Sequence, residues 1–185
     1  MDHLLPCLPG CVSILSERGM TVQEEKIAMT EDITEQDILQ GLMGKDEKAT
    51  FALAQKIGTE SVASNRYLNM IPSFCTMLEA KNAFQRTRAF MLICNQARWD
   101  ERGTINQIFD RMIPLLNDAK PTVVRQCLGA LQEIVLFRPE MHARIEEAIQ
   151  QIDPGRYKDS MSPLIRKDMD ALLRMLGVKK SAMKG

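Results

Sequence analysis

From residue 34 onward, apolar side chains return at the spacing of one helix face, and no window sustains an alternation of period two. Ile105, Ile108, Phe109, Met112, Ile113 and Leu116 make one such face, and Val124, Cys127, Leu128, Leu131 and Ile134 make another. Leu68, Ile71, Phe74, Cys75 and Leu78 repeat the pattern, as do Met141, Ile145, Ala148, Ile149 and Ile152. A chain written this way folds as helices packed on helices, so the predicted class is all-α.

Punctuation divides the pattern into about eight helices. Thr34 caps the first with Asp37 near its start, and Gly41 and Gly44 end it. Gly58 is read as the end of the second helix and Ser61 as the cap of the third. Asn82 starts the fourth, which runs to about Trp99, and Gly103-Thr104 opens the fifth, closed by Asn117-Asp118. Pro121 sits in the first turn of the sixth, where its missing N–H costs nothing, and Arg138-Pro139 separates sixth from seventh. Asp153-Pro154-Gly155 is a turn, and Ser160 or Ser162 with Pro163 begins the eighth helix, which Gly177 terminates.

A repeat runs through these helices. The frame apolar-basic followed by apolar residues at every third position fits Val124-Arg125, Leu128, Leu131 and Ile134. It fits again at Ile165-Arg166, Met169, Leu172 and Met175, and more loosely at Arg86, Ala89 and Leu92 and at Lys48, Phe51, Ala54 and Ile57. Successive matches lie 38 to 41 residues apart, and each opens the second helix of a helix pair. The first helices echo too, in Ile71-Pro72 and Ile113-Pro114.

The run Ile113-Pro114-Leu115-Leu116-Asn117-Asp118, followed by Val124-Arg125 and Ala130-Leu131, resembles a HEAT repeat. The resemblance covers residues 34–177. It implies a short right-handed α-α superhelix of about four helix pairs, of the HEAT/armadillo type, with the second helices lining the concave side. Residues 120–127 and 157–165 are also similar to a group of small bacterial helical-repeat proteins, some of which carry an iron–sulfur-assembly (SufBD) label. No residues here justify that label, because Suf scaffold proteins look like β-helices and this chain offers no strands. The domain expected is 31–178, preceded by a disordered arm over 1–30 and followed by a frayed tail over 179–185. Met20 and Met29 are possible later starts.

The chemistry that is missing narrows the function. His3 and His142 are the only histidines, so a histidine-dependent catalytic triad has little to draw on. Cys7 and Cys11 lack further ligands for a metal site, and no metal or other cofactor is expected. Five cysteines, three of them inside apolar helical patterns, fit a reducing cytoplasm. The longest apolar run, Ala89 to Cys94, is far too short to cross a bilayer. With 24 basic and 24 acidic residues, the net charge argues against a duplex nucleic-acid partner. Charge is uneven, however: net −6 over residues 1–60 and net +5 over 156–185.

What remains is a non-catalytic module or scaffold that offers a helical surface to a protein partner. The alternative, also by resemblance, is a HEAT-like protein of the alkylpurine DNA glycosylase type, for which Trp99-Asp100-Glu101 between Arg98 and Arg102 would stand as the site. Two groups are candidates for partner binding. The framed cations Arg86, Arg125 and Arg166, with Lys48, form either a ridge for acidic groups or structural ties between repeats. Asp118 is the expected partner of Arg125, whose replacement by alanine would cost about 1.5–3 kcal/mol at a partly buried site. The second group is Arg86, Arg88, Arg98 and Arg102 with Trp99, which either presents a recognition patch or is a Trp that plugs the gap between the fourth and fifth helices while the arginines face water.

Overall fold

The computed structural model describes residues 33–158 and 160–178. The readings of 1–30 as an arm and 179–185 as a tail, with His3, Cys7 and Cys11, lie outside these residues. Among the described residues, those from Thr34 to Val178 belong to one compact unit. Among the described residues there are eight α-helices and no strand. They are α1 (Glu35–Leu42), α2 (Glu47–Ala63), α3 (Ile71–Met77), α4 (Ala83–Asn95), α5 (Thr104–Met112), α6 (Pro121–Phe137), α7 (His142–Gln150) and α8 (Ser162–Met175).

Local chemistry sets most helix ends. Thr34 and Asp37 form a capping box on α1, each side chain accepting the other's backbone N–H. Asp46 caps α2 by accepting from Lys48 and Ala49, and Asn82 caps α4 by accepting from Phe84. Pro121 opens α6, and Gly177 follows α8 at φ +79°, a left-handed conformation that favours glycine.

Two expected boundaries are corrected. Helix α2 runs straight through Gly58 and Ser61, and Ser61 does not cap a following helix. The Ser61 hydroxyl instead donates back to the Ile57 carbonyl at 2.8 Å and accepts from Gln96 Nε2 at 2.9 Å. Gly58 is small because α4 comes close: a Cβ there would lie 2.8 Å from the Asn95 amide nitrogen. Helix α4 likewise stops at Asn95 and does not reach Trp99.

The even-numbered helices pack in series, α2 on α4, α4 on α6 and α6 on α8, while α3 packs on α4 and on α5. Their shared core includes Phe74, Phe90, Phe109, Leu116, Leu131 and Ile145, all fully buried. Side chains also tie together segments far apart in sequence. Trp99 Nε1 donates to the Ser61 carbonyl at 2.7 Å, Arg138 to Ala97 at 2.6 Å, Arg144 to Asn106 at 2.6 Å, and the Tyr157 hydroxyl to Asp118 at 2.7 Å. These ties span 38 to 41 residues. Those to Ser61, Ala97 and Asp118 end at or just past the carboxyl end of a helix, where carbonyls lack intrahelical partners.

Gly129 lies on the exposed side of α6, and a methyl group placed there would meet nothing within 4 Å. Gly129→Ala is therefore expected to stabilise the fold by about 0.5–1 kcal/mol, read as a rise in the urea midpoint at unchanged slope.

Candidate functional site

The framed cations turn into the structure to different degrees. Arg86 donates to the Ala80 and Lys81 carbonyls at 2.9 Å each and meets Asp118 at 2.6 Å. Its side chain is 22% exposed and that of Asp118 is 11% exposed. Arg125 pairs with Asp168 of α8 at 2.6 Å. The expected Arg125–Asp118 pair is thus corrected: Asp118 is taken by Arg86, and Arg125 reaches forward to the next even-numbered helix. Arg166 is exposed and forms no ion pair among the described residues. Arg98 is exposed too, its guanidinium carbon 4.5 Å from the centre of the Phe137 ring.

Trp99 is half-buried, and its indole N–H is spent on Ser61 at the end of α2. It joins the segment after α4 to α2. A cleft of about 620 Å³ lies beside it, lined by Arg66, Asn69, Asp100, Glu101 and Arg102. Asp100 is buried, and its two carboxylate oxygens accept the backbone N–H groups of Thr104 at 2.8 Å and Ile105 at 2.7 Å. That is helix capping, and it leaves the carboxylate fixed at the start of α5. Asp100→Ala is expected to cost about 2 kcal/mol, near the upper end for a lost cap because the site is buried; a urea melt measures it.

A second hollow shows a different character. It is a groove of about 510 Å³ between α2 and α4, lined by Phe51, Ala54, Gly58, Val62, Arg88 and Met91, among others. Helix α2 buries Ile57 and packs Leu53 and Ala54 on the core, yet leaves two further apolar side chains outside. Thr50 and Ser61 are buried, whereas Phe51 is 51% and Val62 61% exposed. Across the groove, Met91 of α4 is 39% exposed. Arg88, the remaining sequence candidate, lies beneath at 9% exposure.

Of the six predicted residues, then, Arg88 alone lines this groove, and Trp99 lines the polar cleft. The repeat frame counts Phe51 among its apolar positions, but the sequence reading marks none of Phe51, Val62 and Met91 as a binding residue. The signal that could have found them was a second stripe on α2, Phe51, Gln55, Gly58 and Val62, one face away from Thr50, Ile57 and Ser61. No thiol among the described residues is poised for chemistry: Cys75, Cys94 and Cys127 are free and buried, and burial pushes each above the usual thiol range. Among the described residues no group of His, Cys, Asp and Glu can hold a metal ion, and no helix is long and apolar enough to cross a membrane. Comparison with family models, with curated proteins and with solved structures found no match.

Proposed function

We propose that this chain is a non-catalytic protein-binding module, a scaffold that offers one face of stacked helices to a protein partner. The exposure of Phe51 and Val62 on α2, beside exposed Met91 of α4, carries the reading. A helix that buries Thr50 and Ser61 while leaving a phenylalanine and a valine half exposed or more offers those two side chains to something outside the unit. The groove between α2 and α4 is the partner site, and its largely apolar lining along both helices suits a helix laid lengthwise.

We read the eight helices as four pairs of a short right-handed superhelix of the HEAT/armadillo type. The serial packing of α2, α4, α6 and α8 and the ties spanning 38 to 41 residues support it. On this reading the groove lies on the concave side. The buried free thiols support a reducing, cytoplasmic setting. The DNA glycosylase reading finds less support, since Asp100 is committed to the start of α5.

Affinity capture from cell extract tests the proposal when wild type is compared with Met91→Lys. Met91 is exposed, so Met91→Lys should keep stability within about 0.5 kcal/mol while losing the captured protein. Equal capture by both, or capture of nothing across a range of salt, contradicts the proposal.

A further inference from the structure

We propose that the occupant of the α2–α4 groove is a partner helix carrying an acidic side chain, whose carboxylate is received by Arg88. The inference rests on the protein-binding reading of the groove and names the chemistry it selects.

Arg88 is the only arginine among the described residues that is buried. Its Nη2 donates to the Glu47 carbonyl at 3.3 Å, an acceptor already used by the Thr50 hydroxyl at 3.0 Å. No carboxylate among the described residues pairs with it. Four of the more exposed arginines, Arg86, Arg111, Arg125 and Arg144, each hold a carboxylate oxygen at 2.6 Å, and those among the described residues that hold none keep more contact with water than Arg88 does. A guanidinium has five donors and strongly favours a carboxylate in a fork geometry. Burying one without counter-charge is unfavourable, and a ligand that brings the charge recovers that loss on binding.

The surroundings specify the rest of the ligand. Phe51, Val62 and Met91 are apolar and open, and Gln55, Thr59 and Asn95 supply polar groups among them. From Phe51 to Val62 the groove wall is about 16 Å long, roughly three turns of helix. An amphipathic helix with one acidic residue among its apolar anchors matches that length, lining and charge. A nucleic acid does not match, since the walls are apolar.

The experiment is an in-vitro display selection on the full-length protein, using random peptides about three helical turns long. Enriched peptides should carry apolar residues at helical spacing with one Asp or Glu among them, and should fail to bind Met91→Lys. For these peptides, Arg88→Gln should weaken binding about tenfold or more, and Arg88→Lys less. Exchanging the peptide's own acid for its amide should cause the same loss on wild-type protein, a readout that stands even if Arg88→Gln folds poorly. Peptides that bind the groove without acid preference, or lose nothing with the amide, overturn the inference and leave the groove reading intact. No groove-binding peptide at all overturns both. Self-association of the wild type that Met91→Lys abolishes overturns the inference in favour of a second copy as occupant.

Discussion

Arg86→Ala is expected to lower the unfolding free energy by about 3 kcal/mol, the scale set by breaking a largely buried, hydrogen-bonded ion pair. Three acceptors lose their donor together: the Ala80 carbonyl, the Lys81 carbonyl and the Asp118 carboxylate. For a unit of this size the loss corresponds to roughly 6–12 °C in Tm. Arg125→Ala, in contrast, should cost only about 0.5–1 kcal/mol, because the Arg125 side chain is 37% exposed and its pairing with Asp168 is screened by water. The order of the two effects is the test, and urea melts of both variants measure it. It also lowers the sequence expectation of about 1.5–3 kcal/mol for Arg125→Ala.

The same pair predicts a pH dependence. Burial raises the Asp118 carboxyl, but the Lys120 backbone N–H and Arg86 outweigh it and hold the group below the ordinary carboxylate value of 3.8. Stability from such a group is fully present above its unfolded value and is lost as pH falls through the lower folded value. Wild-type stability should therefore decline from about pH 4 downward, and the Arg86→Ala variant should decline less steeply over that window.

Phe90→Ala should be the most damaging single truncation of the core, costing about 3–5 kcal/mol. Phe90 is fully buried on α4, a helix packed on α2, α3 and α6, so neighbours on three sides hold the cavity open. Calorimetry should show the loss as a drop of roughly 6–20 °C in Tm. A cost under about 1 kcal/mol would mean that α4 is not the packed centre described.

How far these features can be read from sequence depends on their range. Thr34 with Asp37, Asn82 and Pro121 act within one turn, and their roles follow from residue type and spacing alone. Gly58 and Ser61 misled because their identities answer to α4 and the residue just after it, through Asn95 and Gln96, more than 30 residues away. The same limit hid the groove. Phe51 and Met91 fit helical apolar spacing as well as Phe74 and Phe90 do, and only the packing of α4 beside α2 decides which of them is covered. Arg86 and Arg125 share one frame, yet the first meets an acid 32 residues on and the second one 43 residues on. Cation periodicity alone does not assign those partners.

Site-specific photocrosslinking from within the groove tests the central claim most directly. A photoreactive phenylalanine analogue at Phe51 should yield a discrete adduct with a protein partner in cells. The same analogue at Leu136, exposed on α6 and outside the groove lining, should yield none. Adducts from Leu136 but not from Phe51 would contradict the account.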